Sequence, residues 1–420
     1  MQRCSSITRH RSNPVPLRRP LLRPTEVGRV GGHRAGNRGE TRWLCRSLSS
    51  VPGPKHPGHD YAASNSDQPG PPPIPPFFVE IFRGMGQVVF CNNSMSGVFI
   101  ATGLMIGDPQ TGVMALLGCT SATGMAYLAG LDRAMIRDGL AGYNGALVGC
   151  ALTIFQPAVP FLPPALSALP FSSSALADAL LTMVLGGLSA PLAAKLGPLM
   201  APVPQWTVVF NVIALAVLGS FAVAKWYTQP PKPVKPAADT SQQRKVVRDL
   251  SFLFDHPGML MADLCEAASS SVAQIFLLPE PMSGLFILAG IGCYSPAAAG
   301  LTFAGAFLGN TSALALGHSY EQVIDGLWGY NAALSSLAVG IFFVPTGLPY
   351  AGLVVAGATT SILATIGVKT VLDKVDLPCL TVPFCGVASA CFLLGGRVPG
   401  LVRAQAPHSP EMNLQAYRSF

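Results

Sequence analysis

Two stretches of this chain are copies of one design. Gln87–Ile100 reads QVVFCNNSMSGVFI and Gln274–Ile287 reads QIFLLPEPMSGLFI, an offset of 274 − 87 = 187. The Gln, the Met-Ser-Gly and the closing Phe-Ile coincide. The offset recurs downstream, where Gly139–Gly149 (GLAGYNGALVG) matches Gly326–Ser336 (GLWGYNAALSS) and 326 − 139 = 187. A duplicated unit limits the fold more than any local signal, because each copy has to bury the same faces in the same way. A third piece completes each copy. Pro204–Asn211 (PQWTVVFN) matches Pro378–Cys385 (PCLTVPFC) at 378 − 204 = 174, which pairs Thr207 with Thr381 and Phe210 with Phe384. The smaller offset places a tighter preceding loop in the second copy.

Composition says which solvent the copies face. Of 420 residues 50% are hydrophobic and 11% charged, with a mean hydropathy of +0.44. Soluble domains carry about 25% charged residues, so this chain cannot coat itself for water and lipid is the expected solvent. The net charge of +7 lies outside the apolar blocks. That distribution suits basic flanks at a membrane surface and argues against a nucleic-acid groove. The ten cysteines are scattered, with no metal-ligand spacing and no compact disulfide framework, and read as small apolar packing residues.

Residues 1–76 are a different material. Eleven arginines stand between Met1 and Ser50 against Glu26 and Glu40, with Gly, Pro and Ser between them. Such a segment cannot bury a core and is expected to be disordered. It suits either a cytoplasmic tail that orients the first helix or an organelle presequence. No apolar run follows the charges as in a secretory signal. The proline run Pro69–Pro76 is a stiff spacer. The first unit then spans 77–228, a polar linker 229–257, the second unit 258–396 and a tail 397–420. Apolar blocks in the first unit lie near 94–106, 112–131, 140–156, 175–194 and 206–227, several below the ~20 residues a lone span needs. Gln156–Pro170 is broken by Pro157, Pro160, Pro163 and Pro164 and reads as a loop or re-entrant piece.

About five spans per unit is an odd number. A duplicated unit of odd span number enters the membrane the other way up the second time, which predicts an all-α polytopic protein of two inverted repeats with a path at their interface. Lys232, Lys235, Arg244, Lys245 and Arg248 on the linker run against this orientation; the denser charge of the N-terminal tail outweighs them.

Gln87 and Gln274 each precede a helix-breaking group, Asn92-Asn93 and Pro279-Glu280-Pro281. Broken helices free backbone carbonyls. A Gln beside them, with a Thr hydroxyl from the third motif, forms a row of acceptors suited to a small neutral solute rich in N–H donors. The Gly-Leu-x-Gly-Tyr-Asn motifs read as packing elements in which Asn144 and Asn331 tie a helix start. Phe210 and Phe384 fit either ordinary core or the walls of a slot. Intramembrane carboxylates are sparse, with Asp178, Glu266 and Glu280 the candidates, and only His318 lies within the units; Asp132, Arg133, Arg137 and Asp138 share one loop and read as solvated. That scarcity favours passive conduction over ion coupling. Glu280 fits a pore role or a rim carboxylate equally.

As a set, Gly84–Gly97, Gly139–Gly149, Gln274–Gly284, Gly326–Ser336 and Leu377–Cys385 resemble the urea transporter family, over about residues 80–395. The resemblance implies a homotrimer, each protomer with its own pore between inverted halves of five spans plus a tilted re-entrant helix. It implies facilitated urea permeation without cofactor, metal or coupling ion, by a multi-pass protein of the plasma membrane, or of an organelle membrane if the Arg-rich segment is a presequence. It assigns Gln87, Cys91 and Thr207 to one urea site and Gln274, Leu278 and Thr381 to another, with Asn92, Phe210, Glu280 and Phe384 as further pore-lining candidates. The chain departs from the family's Asn-Asn-Pro or Asp-Asn-Pro pattern at Asn92-Asn93-Ser94 and at Pro279-Glu280-Pro281, and Val209 stands where the second copy has Pro383. These changes point to altered selectivity, toward a urea analogue or another small amide, or to weak conduction. An ammonia or water channel lacks its histidine pair or Asn-Pro-Ala motif here, a non-conducting scaffold is the remaining alternative, and no nucleophile–base pair suggests an enzyme.

Overall fold

The computed structural model describes residues 76–155, 173–228 and 256–419. The Arg-rich segment up to residue 75, the whole Gln156–Pro170 stretch and linker residues 229–255 lie outside them. The described residues are helical apart from turns and one antiparallel bridge, Phe343 with Arg403.

The first unit runs through α1 (Pro76–Gln87), α2 (Ser94–Gly107), α3 (Pro109–Leu128), α4 (Arg133–Arg137), α5 (Tyr143–Phe155), α6 (Ser173–Met200) and α7 (Val208–Thr228). The second runs through α8 (Pro257–Gln274), α9 (Pro281–Tyr294), α10 (Pro296–Ala315), α11 (Tyr320–Ile324), α12 (Tyr330–Phe342), α13 (Leu348–Leu372) and α14 (Val382–Leu394), followed by a short C-terminal helix α15 (Pro410–Arg418). Four helix pairs, from α2/α9 to α5/α12, begin and end 187 residues apart, and α7 and α14 begin 382 − 208 = 174 apart. Pro109–Leu128, Leu176–Met200 and Leu348–Val375 are long and apolar enough to cross a membrane alone. Among the described residues six further apolar helices, including α2, α5, α9, α12 and α14, are shorter.

The short helices start where a polar side chain can cap them. Asn93 Oδ1 accepts from Met95 N at 2.8 Å at the head of α2, and Glu280 caps α9 by accepting from Met282 N at 3.3 Å. Asp108 caps α3 by accepting from Thr111 N at 2.9 Å. Its counterpart at the head of α10 is Ser295, since 295 − 108 = 187, and there a carboxylate arrives from elsewhere: Glu411 of α15 accepts from Ser295 Oγ at 2.6 Å and Ala297 N at 2.9 Å. Carboxylates at a helix N-terminus satisfy orphan N–H groups and the dipole together. Asn413 Nδ2 adds a 2.8 Å bond to Ile341 O near the end of α12. The segment after 396 is therefore docked on the second unit. It roofs an apolar hollow of about 410 Å³ lined by Leu301, Tyr350, Pro410 and Leu414 among others.

Packing within the units relies on small residues. Lipid is as apolar as leucine, so helices in a membrane associate through close van der Waals contact and hydrogen bonds. The glycine of each Met-Ser-Gly shows how close. A Cβ on Gly97 would stand 1.7 Å from Phe82 O, and one on Gly284 1.9 Å from Ser269 O. Across the units α2 lies against α9. A Cβ on Gly103 would meet Phe286 Cβ at 2.8 Å, one on Gly290 would meet Phe99 Cβ at 3.0 Å, and Ser283 Oγ donates to Gly103 O at 2.8 Å.

Candidate functional site

The breaks after α1 and α8 share one geometry. Phe90 and Leu277, 187 apart, both hold the left-handed conformation at φ 59° and φ 65°. For a residue with a Cβ that conformation costs about 1–2 kcal/mol, so the surroundings have to impose it. The backbone supplies part of the restraint: Cys91 N donates to Gly86 O at 3.0 Å and Leu278 N to Ala273 O at 3.4 Å. The glutamines anchor the ends of the preceding helices. Gln87 Nε2 donates to Asp138 O at 2.7 Å, and Gln274 Nε2 donates to Asp325 O at 3.1 Å. Those carbonyls close the short helices α4 and α11, where intrahelical donors run out. With Nε2 engaged, Oε1 is the acceptor face of each amide. Gln87 is half-buried and Gln274 buried.

Cys91 and Leu278 are buried behind these breaks, the thiol donating to Val89 O at 3.4 Å. Asn92 is half-buried, and its Oδ1 is buried with no hydrogen-bond partner among the described residues. Glu280, half-buried, serves as the cap of α9.

The third motif is gripped by the Tyr-Asn of the glycine motifs. Trp206 and Leu380 hold φ 48° and φ 45°. Tyr143 Oη donates to Trp206 O and Tyr330 Oη to Leu380 O, each at 2.6 Å. One residue on, Asn144 Oδ1 accepts from Phe210 N at 3.1 Å and Asn331 Oδ1 from Phe384 N at 3.2 Å, tying the first turns of α7 and α14. The asparagines thus hold helix starts, as their motif suggested. The tyrosines were missed as positioning groups, although the repeated Tyr-Asn pair was the signal for both.

These grips bring Thr207 and Thr381 together. Their hydroxyls lie 2.7 Å apart, both side chains buried, where the head of α7 meets the head of α14. The resemblance distributes them between two sites; here they share one point. Among the described residues no hydrogen bond joins either Gln to this pair. Phe210 and Phe384 are both fully buried. Phe384 belongs to an aromatic cluster in which Trp206 lies 5.8 Å from it, 5.0 Å from Phe342 and 6.0 Å from Phe90 between ring centroids, mostly edge to face. At the matching positions of the other unit stand Phe210 for Phe384, Leu380 for Trp206, Phe155 for Phe342 and Leu277 for Phe90. Leucine at two of these four positions leaves the aromatic cluster without a twofold-related copy. Glu80 is a buried carboxylate that the sequence reading passed over; it accepts from Tyr127 Oη at 2.6 Å.

A family model described as urea transporter matches residues 78–396. The chain belongs to the urea transporter family. It is similar to Urea transporter 1 of Ovis aries and to that of Capra hircus, each 29% identical over 324 residues, covering 75% of this chain and 76% of the relative. It is 28% identical over 335 residues to Urea transporter 1 of Mus musculus, covering 79% of this chain and 80% of the relative. Membership and the apolar helices make this a multi-pass membrane protein, and members of the family are transporters rather than enzymes. The paired breaks, the two glutamines and the threonine pair all lie inside the matched family region, whereas the docked segment after residue 396 lies outside it.

Proposed function

We propose that this chain conducts urea passively, down its gradient, along a path between its two units. The units stand inverted to one another in the bilayer, and each protomer of a homotrimer carries one path. Gln87, Cys91 and Thr207 line it from the first unit and Gln274, Leu278 and Thr381 from the second, with Asn92, Phe210, Glu280 and Phe384 beside them. The observation that carries this reading is the meeting of Thr207 and Thr381 at 2.7 Å, buried between units whose broken helices match residue for residue. Equivalent residues meet where a twofold relation brings the units together, and inverted-repeat transporters bind their solute at that interface. Urea carries four N–H donors and one carbonyl in a plane. Hydroxyls, amide oxygens and freed carbonyls can replace its water shell without a charge or an ion partner, and an uncharged path keeps the desolvation cost to a few kcal/mol, about that of a polar amide.

Stopped-flow urea flux on proteoliposomes of the full chain tests the reading, with ammonia and water fluxes alongside. Urea flux exceeds that of empty vesicles, and Thr207→Val or Thr381→Val lowers it by about fivefold, since the passing N–H loses a partner that one net hydrogen bond supplied. Flux no higher than in empty vesicles would make the chain a scaffold; ammonia or water flux without urea flux would change its substrate. The plasma membrane is its proposed residence, and imaging a full-length fusion beside one lacking residues 1–76 separates this from an organelle membrane.

A further inference from the structure

The threonine pair is held unevenly. Asn211 and Cys385 are equivalents, since 385 − 211 = 174, and both face the pair. Asn211 grips the opposite unit. Its Oδ1 accepts from Thr381 N at 3.1 Å, its Nδ2 lies 3.0 Å from Thr381 Oγ1, and Nδ2 also donates to Thr207 O at 3.0 Å. Were the units alike, residue 385 would grip Thr207 in return. It offers a thiol instead, with Sγ 3.3 Å from Thr207 Oγ1 and 3.5 Å from Asn211 Nδ2. A thiol is a weak donor and acceptor, so it receives the Thr207 N–H less strongly than an amide oxygen would. All four side chains are buried.

We propose that Asn211 is the positioning residue of a central gate. The contact of Thr207 with Thr381 closes the path, Asn211 ties Thr381 to the head of α7, and Cys385 makes no equally strong tie of Thr207 to α14, so the pair is clasped from one unit only. The inference rests on the urea-path reading above. A solute amide entering the gate replaces the hydroxyl–hydroxyl bond with bonds of its own, so little polar contact is lost as it passes. Because a single clasp lets the two walls part only slightly, the gap admits a flat, unsubstituted amide and disfavours one carrying an N-alkyl group. Neither residue needs to touch the solute for this to hold. Asn211 acts through Thr381, and Cys385 acts through the weaker tie it makes to Thr207.

The test compares urea and N-methylurea flux through proteoliposomes of the full chain. Cys385→Asn grips both threonines and lowers urea flux by about fivefold, the population change that one net hydrogen bond produces. Asn211→Cys loosens both and raises N-methylurea flux relative to urea by a similar factor. A purely structural role would change stability and leave that ratio alone. A second readout uses the unmodified protein: methyl methanethiosulfonate modifies Cys385, followed by peptide mass spectrometry, and urea slows this while Cys265 is unaffected. Urea flux with a ratio unchanged in both folded variants overturns the gate alone, as does labelling of Cys385 indifferent to urea. Absence of urea flux in the unmodified chain overturns the path, and the gate with it.

Discussion

Tyr143→Phe removes one oxygen atom and leaves the ring that packs around it. In the protein that oxygen donates to Trp206 O at 2.6 Å, in a buried setting, at a residue held at φ 48°. A typical buried hydrogen bond contributes about 0.5–1.5 kcal/mol net, and an orphaned buried carbonyl adds up to about 3 kcal/mol of desolvation. The left-handed Trp206 stores about 1–2 kcal/mol that the bond helps to offset; on its loss the backbone can relax and regain part of this. The balance is a destabilisation of about 1–2 kcal/mol. Tyr330→Phe removes the equivalent bond to Leu380 O, also 2.6 Å, together with a 3.2 Å contact to Cys379 Sγ, so its cost is equal or slightly larger. Denaturant unfolding of the purified protein in detergent micelles measures both. Urea flux falls in both variants as well, because Thr207 and Thr381 directly follow the released residues. A loss below about 0.5 kcal/mol in Tyr143→Phe, under the smallest net hydrogen bond, would refute the claim that these tyrosines hold the third motif. So would a large loss in one variant and none in the other.

Gly97→Ala and Gly284→Ala place a methyl against backbone oxygens that cannot rotate away, and overpacking of that kind costs about 3 kcal/mol or more; the fraction of monodisperse protein after extraction falls in both. Burial raises the Glu411 carboxyl, but bonds from Ser295 and Ala297 outweigh it and hold the group below its ordinary value. The docking of α15 that depends on it is therefore present above the ordinary carboxylate range and lost as pH falls through the lowered value, which hydrogen exchange of residues 405–419 reads as a loss of protection on acidification. Glu411→Gln weakens the docking at neutral pH by the same readout, because a charged acceptor at a helix N-terminus contributes more than a neutral one.

Much of the architecture could be read along the chain. The 187-residue offset predicted where four helices of the second unit begin and end once those of the first were known, because each copy repeats the same pattern of caps, breaks and apolar faces there. The polar residues at the breaks marked their positions, and Asn144 and Asn331 marked helix starts, since capping and helix breaking are decided within a few residues. The meeting of Thr207 with Thr381 was not legible, nor the hand-off of a capping carboxylate from Asp108 in one unit to Glu411 in the other, nor the uneven grip of Asn211 and Cys385. Spacing states which residues are equivalent; whether equivalents touch depends on how the two units cross. That crossing is set by glycines packed against backbone on facing helices, and only the folded chain brings those surfaces together.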